Sequence, residues 1–193
     1  MDGLIFVEES MWYLKSNRIE IVRISKQYTD FLRNNVESKI PKEHVEENEF
    51  SRPFIGIFVS NGQHDYVIPL TSPKEKHKKM KNGIDFHKID GGTYGAINFN
   101  NMFPIINHPS IIEVIDTSIT NDKSQKEIQY IKLLRNQLTW LNISKNKTTI
   151  LRKAEILYSK YISNTLSQNI KSRCCNFPKL ENEYKNFHII KSI

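Results

Sequence analysis

The chain has 193 residues, and its 28 lysines and arginines against 21 aspartates and glutamates give a formal net charge of +7 at pH 7. This length predicts a single domain, residues 1–193, with a core of its own. The positive charge favours an anionic partner, and no apolar stretch is long enough to cross a bilayer. The acidic N-terminus lacks the bases of a signal peptide, and the two cysteines, Cys174 and Cys175, are adjacent. We therefore expect a cytoplasmic protein with no disulfide framework and no zinc site.

The first elements are a strand and a short helix. Residues 1–17 show no organised pattern, and their role is open. Residues 18–24 alternate as a strand does, and Ser25 then stands where a helix N-cap is expected, with Tyr28 on the apolar face of that helix. Residues 34–52 are polar and predict a long loop, a type of segment that often carries function.

A hairpin and further strands follow. Residues 54–60 predict a buried strand, Asn61-Gly62 is a strong hairpin signal, and residues 66–70 form the returning strand. Four more extended segments are predicted at residues 84–89, 93–99, 104–106 and 111–116. Because the segments are joined by tight turns, the sheet should be mainly antiparallel.

The C-terminal half predicts two helices. One has an apolar stripe from Ile128 to Leu141 with Asp122 or Ser124 as its cap, and the other has a stripe from Leu151 to Tyr161. Both stripes are interpreted as core-facing. Strands first and helices afterwards predict an α+β fold with a helical C-terminal half.

The stretch from Pro69 to Lys81 holds the most suggestive chemistry. Thr71 and Ser72 follow a strand, and Ser72, Pro73 and Glu75 have the spacing of a capping box at a helix start. The helix is predicted to end at Asn82-Gly83. Helical spacing then places four basic residues on one face, which are Lys74, His77, Lys78 and Lys81.

Hydroxyls, free helix amides and basic side chains together predict a phosphate site. The plainer alternative is a solvated basic face. If the phosphate belongs to RNA, the 2′-OH could attack it without a metal, given a base, an acid and donors to the phosphate. Thr71 and Ser72 could position the phosphate, Lys74 could stabilise charge, and His77 titrates near neutrality in its unperturbed state. No cluster of acids suggests a metal site in this stretch.

Arg52 is predicted to join this site from another segment. It precedes the strand that pairs with the one ending at Leu70, so its guanidinium should approach Thr71 and clamp a phosphate. The alternative is a surface arginine beside a strand. Further candidate RNA contacts are Tyr28, Arg33 and Lys39, although Tyr28 could instead pack in the core, and Lys78 and Lys81 on the basic face.

Taken in order, these residues resemble the ToxN/AbiQ family of type III toxin–antitoxin endoribonucleases. Phe54-Ile-Gly-Ile57 is followed by Pro69-Leu-Thr-Ser-Pro-Lys74 and His77, and Ile24-Ser-x-x-Tyr28 lies upstream. Met102-x-Pro-Ile-Ile106 and the tail from Cys175 to Tyr184 are also similar to the family. The resemblance runs from Ile21 to Tyr184, and residues 1–17 extend beyond the usual start of the family.

The resemblance implies a compact, twisted antiparallel sheet flanked by helices, as in MazF/CcdB-like toxins. It implies metal-independent RNA cleavage that leaves a 2′,3′-cyclic phosphate and a 5′-hydroxyl, with no cofactor. It also implies inhibition by a small repeat-derived RNA pseudoknot in a closed ring of alternating protein and RNA, and a role in phage defence by abortive infection. Neither a membrane nor DNA is an expected partner.

The family's active-site residues correspond to Thr71, Ser72 and Lys74 in this sequence. A second family lysine corresponds to Arg52, which keeps the positive charge but is a poor proton donor or acceptor. Two other hypotheses remain at this point. The chain could be a non-catalytic RNA-binding module, or an interaction domain whose positive charge is incidental.

Overall fold

The computed structural model describes residues 12–42 and 55–188. Its strands are β1 (Ile21–Ile24), β2 (Ile55–Ser60), β3 (Asp65–Thr71), β4 (Phe86–Lys88), β5 (Ala96–Asn98), β6 (Phe103–Pro104) and β7 (Ile112–Val114). Its α-helices are α1 (Lys26–Asn35), α2 (Glu75–Lys79), α3 (Gln125–Leu141), α4 (Ser144–Ile162), α5 (Gln168–Lys171) and α6 (Phe177–Glu183). Short 3₁₀ helices lie at Asp90–Gly92, Phe99–Asn101 and Tyr184–Asn186. Strands come first and long helices follow, which confirms the predicted α+β class.

The seven strands form one sheet in the order β4-β5-β3-β2-β1-β7, and β6 also pairs with β3. Every strand pair within the described residues is antiparallel, as predicted. The β2–β3 hairpin turns at Asn61-Gly62, where Gly62 has a φ of +86°. That left-handed conformation explains why glycine suits the turn.

β3 is the central strand of the sheet. One of its edges pairs with β2, from Gly56 opposite Pro69 to Ser60 opposite Asp65. Its other edge pairs first with β6 and then, at Leu70 and Thr71, with β5. The five residues between Asp65 and Thr71 are all buried, and a continuous buried run is expected of a strand covered on both faces.

The predicted strands are present, most of them with shorter bounds, although β3 extends one residue further at each end than the predicted 66–70. β1 begins at Ile21 rather than at residue 18, and the segments predicted at residues 84–89 and 93–99 contain three-residue strands. Ser25 is the N-cap position of α1, as predicted, although its side chain makes no capping hydrogen bond. The loop predicted at residues 34–52 lies partly outside the described residues.

The two predicted C-terminal helices are α3 and α4, and both contribute to the core. Ile131, Leu134 and Leu141 of α3 are buried, as are Ala154 and Leu157 of α4. Ser124 caps α3 with a complete capping box, in which its side chain accepts from the Glu127 amide and the Glu127 carboxylate accepts from the Ser124 amide. Of the two candidate caps, Ser124 is therefore the correct one.

The structure also bears on the cysteines and on the expectation that no segment is long enough to cross a bilayer. Cys174 and Cys175 are both free and fully buried. Burial raises the pKa of Cys174 to about 11 and that of Cys175 to about 12, so neither thiol is reactive at neutral pH. Within the described residues, no helix combines the length and the apolar character that a membrane crossing requires.

Gly95 lets β5 approach the end of β3. Its φ is +96°, and a Cβ placed on it would lie 1.9 Å from the carbonyl oxygen of Thr71 and 3.1 Å from the carbonyl carbon of Ser72. No side chain fits in that space without displacing backbone. Gly95 therefore fixes where the chain leaves the sheet after Thr71.

We predict that Gly95→Ala destabilises the fold more than Gly62→Ala does. Gly62 has a similar φ, of +86°, but a Cβ there meets nothing within 4 Å, so the two variants share the conformational strain and differ in the steric clash. The clash should reduce the free energy of unfolding by a further ~1–3 kcal/mol, the usual range for overpacking. Chemical denaturation of both variants measures this difference. Equal losses in the two variants would show that Gly95 is required only for its backbone conformation.

Candidate active site

The candidate site begins where β3 leaves the sheet. Thr71 is its last residue and lies opposite Ala96 of β5. The Thr71 hydroxyl donates a long hydrogen bond, 3.4 Å, to the Ala96 carbonyl oxygen. Thr71 and Ser72 are both partly exposed. The end of the central strand thus presents two neighbouring hydroxyls at the protein surface.

The capping box predicted for Ser72 and Glu75 is wrong. α2 begins at Glu75, its N-cap is Lys74 in an extended conformation, and no side-chain hydrogen bond caps it. The Glu75 carboxylate instead accepts from Lys78 Nζ at 2.9 Å. The helix is also shorter than predicted, since its C-cap is Met80 rather than Asn82-Gly83. Ser72 is therefore not the N-cap of this helix, which begins three residues after it.

An exposed group of lysines surrounds α2. We call them the α2 lysines, and they are Lys74, Lys76, Lys78, Lys79 and Lys81. Glu75 is the one acid in this stretch of sequence, and it pairs with Lys78. Lys74 lies two positions after Ser72, and its ammonium has no acidic partner within the described residues. The ammonium of Lys74, which no described acid neutralises, therefore follows the two hydroxyls of Thr71 and Ser72 closely in the sequence.

His77 does not share the exposed face of these lysines, so that prediction is wrong. Only 3% of its surface is exposed, and its ring packs against Phe86 with centroids 5.8 Å apart. Its Nδ1 is buried and has no hydrogen-bond partner. Burial lowers the pKa of His77, and the charges of Lys76 and Lys74 lower it further. His77 is thus a neutral side chain under α2 rather than a basic group on its surface.

Contacts from outside the predicted stretch hold α2 in place. A Cβ on Gly92, whose φ is +100°, would lie 3.0 Å from the carbonyl carbon of His77, so the 3₁₀ turn packs directly on the helix backbone. Lys153 of α4 donates to the Gly83 carbonyl oxygen at 2.7 Å. Asp85, in the same loop, pairs with Arg173 at 2.7 Å. The sequence signal for the first contact is Gly91-Gly92, which lies between the extended segments predicted at residues 84–89 and 93–99.

The predicted RNA contacts on α1 and in the following loop are engaged within the protein. Tyr28 is fully buried and donates to the Pro104 carbonyl oxygen at 2.8 Å, so its prediction as an RNA contact is wrong and its core alternative is correct. Burial raises the pKa of Tyr28 well above its usual value. Arg33 pairs with Asp30, and Lys39 Nζ donates to the Cys174 carbonyl oxygen at 2.8 Å. The structure does not bring these three to the candidate site.

The prediction for Arg52 lies outside the described residues. The nearest described part of its segment is β2, in which Gly56 stands opposite Pro69. The beginning of β2 and the end of β3 therefore meet at the same end of the sheet, as the hairpin argument requires.

The sequence matches a known family over most of its length. Residues 20–185 match the family model for toxin ToxN of type III toxin–antitoxin systems. The chain is 29% identical over 168 residues to an endoribonuclease ToxN of Bacillus thuringiensis subsp. kurstaki, which covers 85% of this chain and 81% of the relative. It is 27% identical over 170 residues to an endoribonuclease ToxN of Pectobacterium atrosepticum, covering 85% and 91%.

Two solved structures are similar to the fold. One, which concerns selective toxin inhibition by a non-coding RNA pseudoknot in bacterial type III toxin–antitoxin systems, superposes with a TM-score of 0.67 at 28% identity, covering 88% of this chain and 97% of that one. The other, which concerns regulation of a bacterial antiviral system by a processed non-coding RNA, has a TM-score of 0.66 at 24% identity, covering 88% and 99%. The second likeness bears on the fold alone. The family match includes every strand and every α-helix described above, and this chain belongs to the ToxN family of type III toxin–antitoxin toxins.

Proposed function

We propose that this chain is an endoribonuclease toxin that cleaves RNA without a metal ion. The observation that carries the proposal is the arrangement at the end of β3, where two partly exposed hydroxyls precede a lysine that has no acidic partner in the described part of the chain. That arrangement lies inside the region that matches the family. The two curated relatives are both endoribonucleases by name, which supports the same activity here.

The proposed reaction is attack by the 2′-OH on the adjacent phosphorus. A bond forms between O2′ and phosphorus, the bond to the 5′-oxygen breaks, and the products carry a 2′,3′-cyclic phosphate and a 5′-hydroxyl. The proton of the 2′-OH goes to a base, and the departing 5′-oxygen receives a proton from an acid. Water is not consumed in this step, so the protein has to stabilise charge on the phosphate and move two protons.

Thr71, Ser72 and Lys74 fit the need for charge stabilisation. Their hydroxyl and ammonium groups can donate to the non-bridging phosphate oxygens as negative charge grows there. Arg52 is proposed to clamp the same phosphate from the β2 side, since a guanidinium binds two oxygens at once. Arginine holds its proton too tightly for acid–base work. We therefore assign the acid to the Lys74 ammonium, which gives a proton to the departing 5′-oxygen, and the base to a non-bridging phosphate oxygen of the RNA, which takes the proton of the 2′-OH.

His77 is proposed to act as a positioning residue. Its ring is buried against Phe86, and its pKa is lowered, so it neither contacts RNA nor carries a charge at neutral pH. By filling the space under α2, it keeps the α2 lysines at the surface next to Ser72.

The α2 lysines also suggest how the toxin is controlled. We propose that a small RNA pseudoknot, made from a repeated transcript, binds across these lysines and covers the hydroxyls. The solved relative that concerns inhibition by an RNA pseudoknot supports this assignment, as does the net charge of +7. Alternating protein and RNA would close into a ring, and loss of the RNA during phage infection would release the toxin.

The direct test is cleavage of RNA by purified protein in the presence of EDTA. Ser72→Ala and Lys74→Ala should each lower the cleavage rate by about 10²-fold or more, as expected when a donor to a transition-state oxyanion is removed. Lys79→Ala is the matched control, since Lys79 is another exposed lysine of α2, and it should keep most of the activity.

Two results would contradict the mechanism. One is loss of wild-type cleavage on addition of EDTA, and the other is unchanged cleavage by both Ser72→Ala and Lys74→Ala. Tight RNA binding with no cleavage by the wild type would instead identify a non-catalytic RNA-binding protein.

A second prediction concerns the charge state of His77. The unfolded chain takes up a proton at a histidine near pH 6.5, whereas the folded chain resists it because the pKa of His77 is lowered. The stability contribution is therefore present above pH 6.5 and is lost as the pH falls below that value. His77→Gln cannot titrate, so it should lose less stability than wild type between pH 7.5 and pH 5.5. Urea denaturation at the two pH values measures this; an equal loss in both proteins would mean that His77 is accessible to protons in the fold.

A further inference from the structure

A cavity of about 690 Å³ lies at the turn end of the β2–β3 hairpin, the opposite end of β3 from Thr71. Its walls come from the hairpin, from the segment after β6 and from the C-terminal tail, and they include Gln63, Asn107 and Lys185. The volume is within the usual range of ligand sites. Thr71, Ser72 and Lys74 do not line it. We call it the turn-end cavity.

We propose that the turn-end cavity binds a nucleotide of the single-stranded RNA substrate, several positions away from the nucleotide that is cleaved. The inference rests on the proposed function for the identity of the substrate. It adds a second contact site, whose chemistry can be derived from the residues that line it.

Aromatic rings supply surfaces on which a base can stack. Tyr13 is 46% exposed, and its backbone is fixed to the sheet by two hydrogen bonds with Ser60, of 2.8 and 2.9 Å. Phe187, on another wall, is held by ring contacts to Tyr28 and Phe31 with centroids 5.3 and 5.4 Å apart. An aromatic side chain on a rigid backbone is the usual platform for single-stranded nucleic acid.

Of the two lysines that line the cavity, one is available to bind a phosphate. Lys15 is neutralised by Asp65, whose carboxylate accepts from its Nζ at 2.5 Å. Lys185 has no acidic partner within the described residues, and its ammonium lies 5.6 Å from the centre of the Tyr184 ring. Lys185 is therefore the lysine available for a phosphate contact.

Two amide side chains complete the site. Gln63 and Asn107 are exposed, and their side-chain amides make no hydrogen bond within the described residues. An amide offers both donors and an acceptor, which is what the edge of a nucleotide base requires. Aromatic rings, a free ammonium and free amides thus lie around one cavity of suitable size.

The length of β3 sets the distance between this cavity and the cleavage site. Six residue steps separate Asp65 from Thr71, which corresponds to ~20 Å along a strand at about 3.4 Å per residue. Stacked nucleotides advance about 3.4 Å each, so at most about six are needed to bridge the two sites. A trinucleotide is too short to occupy both, whereas a 12-nucleotide RNA is long enough.

The test measures RNA binding by the full chain carrying Ser72→Ala, with Tyr13→Ala or Lys185→Ala added. Tyr13→Ala should weaken binding of a 12-nucleotide single-stranded RNA by about fivefold or more, the lower end for loss of one stacked base. Lys185→Ala should reduce the slope of log affinity against log salt concentration by about 0.7, as one lost phosphate contact does. Lys126→Ala, an exposed lysine of α3 outside the cavity, is the control and should leave the slope unchanged.

Unchanged binding of the 12-nucleotide RNA by both cavity variants would overturn the proposal. Weakened binding by the cavity variants, together with no RNA cleavage by the wild-type protein, would support the cavity site and contradict the proposed function, so the two ideas fail separately.

Discussion

The close contact between Gly95 and the backbone of Thr71 and Ser72 is the constraint on which the candidate site depends. β3 is buried between its two end residues and is paired on both edges within the sheet. The missing side chain at Gly95 lets β5 lie against the point where β3 ends. The hydroxyls that follow are therefore placed by the rigid centre of the fold. Placement by a rigid element suits catalysis, because small displacements of a reacting group reduce rates strongly.

The positive charges of the α2 lysines lie at this same end of the sheet. α2 is a single short turn whose lysines project into solvent, while the neutral ring of His77 fills the space beneath it. Lysines in high-dielectric surroundings keep their charge at little cost, and phosphate binding is the natural use of such a group. The hydrogen bond from Lys153 to the Gly83 carbonyl oxygen and the Asp85–Arg173 ion pair connect the loop after α2 to the helical half of the chain.

The sequence predicted the sheet well because its signals are local. Asn-Gly strongly favours a tight hairpin turn, and the strands on either side of Asn61-Gly62 are strongly apolar. It failed at Ser72, although Ser72 and Glu75 have the same spacing as Ser124 and Glu127. A complete capping box forms at Ser124, where a long helix follows. At Ser72 the preceding residue is still held in the sheet, so the chain stays extended through Lys74. Likewise, helical periodicity grouped His77 with the lysines, but the sequence does not state which side of the helix faces Phe86.

The central claim is that the RNA itself supplies the nucleophile while Ser72, Thr71 and Lys74 stabilise the phosphate. The chemistry of the cut ends tests this most directly. RNA cleaved by the purified protein in EDTA would be analysed by mass spectrometry for the groups on both new termini. The account predicts a 2′,3′-cyclic phosphate on one fragment and a 5′-hydroxyl on the other. Fragments with a 3′-hydroxyl and a 5′-phosphate would contradict it, since those ends require attack by water rather than by the 2′-OH.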